Sequence, residues 1–412
     1  MMDFSRYLKD GDGLWWGQGP AEPESLVNAL IEQAQRLGAI RAFSGLSLNP
    51  KVGALENDSL IIQSYGGLGE LRQLSKAGRL GVIPCHYSAL PRLFEQGHLP
   101  TDVGLIQVSS PNAKGEVSLG LGVDYMADAL AHTKILIAEV NSAMPWVPSA
   151  PSLPLSAFAE VIHVDRPLRE MATRTPDAVD QAIAGHVAAL INDGETIQLG
   201  VGSLPNAVLE QLKGHRRLGF HGGMVTDAVG ELISRGVITG EAKEIDTGLA
   251  VTGTAMGSTE FYRRIPELPL ALRPTSYTHS PQVLSKLKSL VSINSALEID
   301  LVGQVAAETV GGIYLGAIGG QTDFSRAAAL TGARSIIALR SENRGQSTIR
   351  PSLSGSLVAT SRPDVDVVVT EFGSAILTGC TLTQRAEKLA AIAAPHHREG
   401  LLHALKKEEI FS

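Results

Sequence analysis

Two glycine-rich turns are the parts of this sequence best suited to hold a charged ligand. The first, Gly200-Val201-Gly202, follows the short apolar run from Thr196 to Leu199, and Pro205 then opens a segment of helical periodicity. In a strand, glycine turn and helix, the backbone N–H groups of the helix start meet the ligand without a Cβ in the way. The pattern predicts a site for a phosphate or a polarised thioester oxygen, and an ordinary β-α turn is the alternative.

The second turn lies in the segment from Gly316 to Arg326, which reads GAIGGQTDFSR. Its glycines, Gly316, Gly319 and Gly320, are predicted to expose backbone N–H groups of the kind that stabilise an oxyanion. A tight turn that needs glycine only for its geometry is the alternative. Two such turns in one chain favour a ligand site.

Between the two turns, residues 291 to 312 are predicted to form one strand with alternating faces. One face carries polar side chains, among them Asn294, Glu298 and Asp300. We expect this face to be a wall of the site. Further along the chain, Arg344 and Arg350 are candidates for binding a phosphate, because a guanidinium holds two phosphate oxygens at once.

These segments resemble the acetyl-CoA hydrolase/transferase family, which includes 4-hydroxybutyrate CoA-transferase. The stretches that carry the likeness are LGVGSLPNAVLEQL, LGFHGGMVTDAV, GAIGGQTDFSR, Pro91 to Pro145 and Thr360 to Pro395. The resemblance implies an enzyme whose substrates are acyl-CoA and a small carboxylate. It also implies that coenzyme A is bound by Gly200, Val201, Gly202, Ser203, Leu204, Gly316, Gly319, Gly320 and Arg344.

One position departs from the family pattern. The family carries a nucleophilic glutamate in a sequence like I-H-[ST]-E-M, and alignment on His221 and Met224 places Gly223 there. Glycine cannot form the acyl anhydride or the CoA thioester that classical transfer requires. Three alternatives remain: another carboxylate replaces it, with Glu298 first and Glu371 second; water takes its place in a thioesterase; or the protein binds acyl-CoA without turnover.

Composition narrows the class of protein. The chain has 412 residues, of which 44% are hydrophobic and 19% charged, with a formal net charge of -7. Such a charge argues against nucleic acid as a partner. Cys85 and Cys380 are far apart, so no disulfide framework or metal site is expected. We expect a cytoplasmic protein without membrane spans or a permanently bound cofactor, and a homodimer.

Short apolar runs alternate with helical segments along most of the chain, which predicts α/β architecture with parallel sheets. The family resemblance implies two open-sheet α/β domains of the CoA-transferase (NagB/RpiA-like) type with the ligand cleft between them. The proline-rich stretch from Ala143 to Leu155 indicates a linker. We therefore predict domains at residues 1–170 and 171–412. Trp15 and Trp16 are expected to pack at a domain edge.

Overall fold

A seven-stranded parallel sheet is formed by the first part of the chain. The computed structural model describes residues 2–172, 174–310 and 312–407. All six strand pairs are parallel, as the apolar runs predict. From one edge to the other the strands are Gly81–Val82, Leu60–Ser64, Ile40–Phe43, Gly13–Trp16, Val103–Val108, Ile135–Asn141 and Glu160–Val164.

Trp15 and Trp16 lie in the central strand of this sheet, and both are fully buried. The expectation of a domain-edge position is therefore wrong. The strand Gly13–Trp16 was not predicted because it has only four residues and lies in a glycine-rich stretch. On opposite faces of that strand the two indoles fill different parts of the core, because successive side chains alternate.

A second sheet of six strands is formed by the later part of the chain. Five of its strands are parallel, and the last edge strand pairs antiparallel with its neighbour. The order is Gly219–Phe220, Thr196–Leu199, Leu290–Ser295, Arg334–Ala338, Val367–Thr370 and Gly373–Ile376. The predicted α/β class with open sheets is confirmed.

The single strand predicted over residues 291 to 312 is wrong. The structure divides it into Leu290–Ser295, within the six-stranded sheet, and Glu298–Asp300, within a separate sheet of three short strands. Glu298–Asp300 pairs with Ile349–Arg350 and Val305–Ala306. The side-chain alternation continues across the break, so it gave no sign that the chain leaves one sheet for another.

Helices cover both large sheets, and smaller strand pairs fill the loops. The helices are Glu24–Leu37, Pro50–Gly53, Leu71–Lys76, Leu90–Glu95, Asp124–Leu130, Ala178–Ala188, Ser203–Gln211, Asp227–Ser234, Thr259–Arg264, Thr275–Thr278, Pro281–Leu284, Gln321–Thr331, Leu382–Ala391 and Pro395–Lys407. The paired short strands are Glu116–Ser118 with Ser152–Pro154, Met224–Val225 with Thr254–Ala255, Ala250–Thr252 with Leu270–Leu272, Thr309–Val310 with Ile313–Tyr314, and Glu342–Asn343 with Gln346–Ser347. Among the described residues, no helix has the length and apolar character that crossing a membrane requires.

The two large sheets share buried contacts. One hydrophobic cluster contains side chains of both, from Trp15 to Val369. The loop before the helix Gln321–Thr331 also reaches the first part of the chain, since the Tyr87 N–H donates to the Gly319 carbonyl at 3.0 Å. The division between residues 170 and 171 stays a prediction.

Candidate functional site

The first glycine turn has the geometry that its sequence predicts. Gly202 has a φ of +135°, a conformation that favours glycine, and the helix Ser203–Gln211 begins directly after it. Among the described residues, no side chain caps this helix start, and a Cβ added at Gly200 would meet no protein atom within 4 Å. Gly200, Val201 and Gly202 are exposed, Ser203 is partly exposed, and Leu204 is buried. The backbone from Gly200 to Gly202 is thus open to a ligand.

Two adjoining clefts lie beside this turn and share Leu297, Asn343 and Thr348. The smaller, of about 400 Å³, contains the stretch from Val201 to Pro205 in its wall. The larger, of about 740 Å³, contains Glu298 and Arg344. The structure therefore brings the first glycine turn, the candidate nucleophile and the candidate phosphate ligand to one connected surface.

Glu298 is held by its neighbours within the larger cleft. Its Oε1 accepts from Arg350 Nε at 2.8 Å and Nη2 at 2.7 Å, and its Oε2 accepts from the Ser356 hydroxyl at 2.8 Å. Both carboxylate oxygens are therefore occupied, which lowers their availability as nucleophiles. Arg350, a candidate for phosphate, is engaged in the same ion pair. Glu371, the second carboxylate, accepts from the Ser341 N–H and hydroxyl.

Arg344 lies at the tip of the hairpin formed by Glu342–Asn343 and Gln346–Ser347. It has a φ of +51°, and Gly345 next to it has a φ of +77°, so the chain turns through two left-handed residues. The side chain is exposed on the wall of the larger cleft. The turn geometry thus presents a cation to the cleft.

The glycines of the second turn differ from one another. The Gly316 N–H donates to the Glu308 carbonyl at 2.9 Å, and a Cβ there would lie 2.1 Å from the Ala307 oxygen. Gly316 is therefore a packing glycine, and the expectation that all three amides are exposed is wrong. Among the described residues, the N–H groups of Gly319 and Gly320 have no backbone or side-chain acceptor within hydrogen-bond distance. These two amides remain available.

The imidazole of His279 fills the space between Gly223 and Gly320. A Cβ at Gly223 would lie 3.0 Å from His279 Cε1 and 3.2 Å from Nε2, and a Cβ at Gly320 would lie 2.4 Å from Nε2. The backbone at Gly223 is outside the left-handed region, so its conformation alone does not require glycine. Both positions are adjacent to the same ring, and the sequence analysis missed His279 because a lone histidine in a loop carries no pattern.

Aromatic rings hold this imidazole in place. The ring of Tyr87 lies 4.7 Å from it and that of Phe324 5.0 Å, measured between centroids. Tyr87 is fixed in turn by Gln18, whose Nε2 donates at 2.8 Å to the Tyr87 hydroxyl and at 2.8 Å to Asp124. The buried site is thus assembled from both large sheets.

The Thr278 hydroxyl contacts one ring nitrogen of His279. It lies 3.3 Å from the Pro274 carbonyl, to which it can donate, and 2.9 Å from His279 Nδ1. When the hydroxyl donates to the carbonyl, its oxygen accepts the proton of Nδ1, and Nε2 then carries the lone pair. Burial, and then the neighbouring His221, lowers the pKa of His279 to about 3. The ring is neutral at physiological pH.

Residues around Gly223 serve mainly to build the backbone. His221 is buried with its Nε2 3.1 Å from the Thr278 carbonyl, and burial followed by Lys243 lowers its pKa to about 4. Asp227 accepts from the Ser258 N–H at 3.0 Å and from its hydroxyl. Asp227 therefore stabilises the loop that carries Ser258.

Comparison with known proteins gives close matches over nearly the whole chain. The 4-hydroxybutyrate coenzyme A transferase of Clostridium kluyveri is 37% identical, covering 94% of this chain and 92% of the relative. Among solved structures, RipA from Yersinia pestis superposes with a TM-score of 0.91 at 32% identity, covering 98% of this chain and 95% of that one. A 4-hydroxybutyrate CoA-transferase from Porphyromonas gingivalis gives 0.82 at 34% identity, with the same coverage.

Two family descriptions match the chain in order. The acetyl-CoA hydrolase/transferase N-terminal domain matches residues 3–166, and the C-terminal domain of the same family matches residues 257–405. The matches and the full-length relatives agree with the resemblance found in the glycine turns. This chain therefore belongs to the acetyl-CoA hydrolase/transferase family.

Proposed function

We propose that this protein is an enzyme that hydrolyses acyl-CoA thioesters. The observation that carries the proposal is the position of His279, a neutral imidazole with a free Nε2 set between Gly223 and Gly320. Family membership supports acyl-CoA as the substrate. The ligand is a substrate, and no permanently bound cofactor is part of the proposal.

Coenzyme A is proposed to lie along the two connected clefts. Exposed Arg344 supplies a cation for its phosphates, and nearby Ser352 and Ser354 supply hydroxyl donors in the same wall. The open start of the helix Ser203–Gln211 adds backbone amides and the positive end of the helix dipole. The proposal puts the thioester end at the junction of Gly223, His279 and Gly320.

The proposed reaction uses water as the acyl acceptor, because we infer that Gly223 stands at the family's nucleophile position. Water attacks the thioester carbonyl carbon while His279 Nε2 takes its proton. The developing oxyanion is stabilised by the free amides of Gly319 and Gly320. The carbon–sulfur bond breaks, the proton passes from Nε2 to the thiolate, and carboxylic acid and free coenzyme A leave.

CoA transfer to a small carboxylate is the second candidate function. The names of the full-length relatives favour it, and Glu298 faces the larger cleft as a possible nucleophile. Glu298 can attack only after its ion pair with Arg350 breaks, and this requirement argues against transfer through Glu298. Transfer also requires the Glu298 carboxylate to form a covalent CoA thioester. The predicted homodimer accompanies either candidate and is tested by light scattering.

Two products formed from butyryl-CoA, with and without added acetate, separate the candidates: free thiol reports hydrolysis, and acetyl-CoA reports transfer. Hydrolysis predicts acetate-independent release of thiol that His279→Gln lowers at least about 100-fold, within the range of general-base effects, and that Glu298→Gln leaves within about threefold. Transfer predicts acetate-dependent formation of acetyl-CoA without free thiol, its loss in Glu298→Gln, and a borohydride-reducible CoA adduct on Glu298 by mass spectrometry. Coenzyme A binding without either product would refute both reactions and identify a binding protein.

A further inference from the structure

The fold brings together three metal-binding side chains that are far apart in sequence. Glu342 lies in the hairpin that carries Arg344, and His396 and His397 lie in the first turn of the helix Pro395–Lys407. Glu342 Oε2 is 2.9 Å from His396 Nε2 and 3.3 Å from His397 Nε2. All three donor atoms are within 4.8 Å of one another.

One of these nitrogens has no satisfied partner. His397 Nε2 is buried and makes no hydrogen bond among the described residues, although the carboxylate oxygen is near it. A buried polar atom without a partner costs free energy, which binding of a ligand to it would recover. The side chain of His396 is 66% exposed, so solvent reaches the cluster from one side.

The separations agree with a tetrahedral transition-metal site. Zinc binds histidine nitrogen and carboxylate oxygen at about 2.0–2.1 Å, which places two donors of a tetrahedron about 3.4 Å apart. The carboxylate-to-nitrogen distances of 2.9 and 3.3 Å are within about 0.5 Å of this value, and the two nitrogens lie within 4.8 Å of each other. Two imidazoles and one carboxylate leave a fourth position for water. This donor set suits zinc, cobalt or nickel better than magnesium or calcium, which prefer oxygen.

We propose that Glu342, His396 and His397 form a binding site for a divalent transition metal of the zinc class. The metal would lie between the Glu342 carboxylate and the two imidazoles, and each Nε2 would give it a lone pair. The bound ion joins the hairpin to the helix Pro395–Lys407. The sequence analysis expected no metal site because it considered the two cysteines. The ligands of this site come from a hairpin and a helix that the strand Val367–Thr370 separates in the chain, so no local spacing indicates them.

Metal binding has a consequence for the larger cleft, which rests on the proposed function. The hairpin presents Asn343 and Arg344 to that cleft, so fixing the hairpin pre-organises the proposed phosphate ligand. The ion adds positive charge next to the same wall. By linkage, coenzyme A and the metal then strengthen the binding of each other by one common factor.

Calorimetric titration of the full-length, metal-free protein with Zn²⁺ tests the site without any acyl-CoA. We expect one equivalent to bind, and we expect His397→Ala and Glu342→Gln each to weaken binding at least 10-fold. His403→Ala is the matched control, since His403 is an exposed histidine of the same helix outside the cluster. Replacement of zinc by Co²⁺ should give the intense visible absorption of a tetrahedral site.

Thermal unfolding adds a readout that does not depend on activity. Zn²⁺ at 100 times its dissociation constant should raise the unfolding temperature of the wild type and of His403→Ala, and should leave that of His397→Ala unchanged. Equal zinc affinity in all four proteins would overturn the site. Zinc binding that is lost in the variants, with no effect of zinc on coenzyme A affinity, would keep the metal site and overturn only its coupling to the cleft.

Discussion

A glutamate introduced at position 223 is expected to support CoA transfer only if His279 is removed as well. The nearest imidazole atom would lie 3.0 Å from the new Cβ, whereas carbon atoms in good contact are about 3.5–4.0 Å apart. The ring must therefore move by about 0.5 Å, and it is confined by Tyr87 and Phe324. Forced packing of this kind typically costs about 1–3 kcal/mol.

A double-mutant cycle with alanine measures this contact. Gly223→Ala gains about 0.4–1 kcal/mol from a less flexible unfolded chain, because its backbone conformation suits any residue. The crowding against His279 should outweigh this gain, for a net loss of about 1–2 kcal/mol. In a His279→Ala background the crowding disappears, so we expect a favourable coupling equal to the crowding cost, about 1–3 kcal/mol, in denaturant unfolding.

Additivity within about 0.5 kcal/mol would refute the contact between position 223 and the imidazole. Gly185→Ala provides the control, because a Cβ at that helical glycine meets no atom within 4 Å and should be additive with His279→Ala. The same logic applies to catalysis. Gly223→Glu alone should give little CoA transfer, and Gly223→Glu with His279→Ala should give readily measured transfer, since an aligned carboxylate acts at an effective concentration of about 10⁵ M or more. Equal transfer by the single and double variants would contradict this argument.

Three further predictions concern binding and pH. Gly202→Val should weaken coenzyme A binding at least about 10-fold in calorimetry, because it strains the turn and closes the approach, whereas Gly115→Val, at a turn glycine with a φ of +73°, should cost stability and leave binding unchanged. Arg344→Ala should weaken coenzyme A binding about 5- to 20-fold at low salt, a loss of about 1–2 kcal/mol. Arg217→Ala is the control, because Arg217 is also exposed and at positive φ, and equal effects of the two substitutions on binding would exclude a phosphate contact of Arg344. His279 has a pKa of about 3 in the folded protein against 6.5 as the ordinary value, so the unfolded chain binds more protons between these values and the free energy of unfolding should fall as the pH drops below 6.5. Between pH 7 and pH 4.5 the free energy of unfolding of His279→Gln should therefore fall by about 2–3 kcal/mol less than that of the wild type. Parallel curves of unfolding free energy against pH would contradict a neutral buried ring.

Much of the fold could be predicted from the sequence because parallel strands buried on both faces are continuous apolar runs. The apolar run from Thr196 to Leu199 has the same bounds as the strand that it forms. The strand Gly13–Trp16 was missed because it is short and flanked by glycines. The break after Ser295 was missed because alternation shows which face a residue is on and not which sheet it joins.

The candidate site was only partly predictable, for a related reason. Gly202 and Gly320 could be found because a glycine turn before a helix is a local pattern. The pairing of Glu298 with Arg350 joins residues 52 apart in the chain, and no local pattern reports it. The position of His279 between two glycines likewise depends on how distant loops meet.

The loop that carries Gly319 and Gly320 belongs to the second sheet by sequence, yet its conformation is set by the first part of the chain. Gly67 donates to the Gly316 carbonyl at 3.0 Å, Tyr87 donates to that of Gly319, and Ser88 binds Asp323 through both its N–H and its hydroxyl. Opening of either part would release these bonds, so hydrogen exchange in the loop should report the less stable of the two. The later part of the chain expressed alone would lose the arrangement of these amides. The enzyme's amide donors are in this sense a shared property of the whole chain, and a substitution around Gly67 can alter chemistry at a residue some 250 positions further along the sequence.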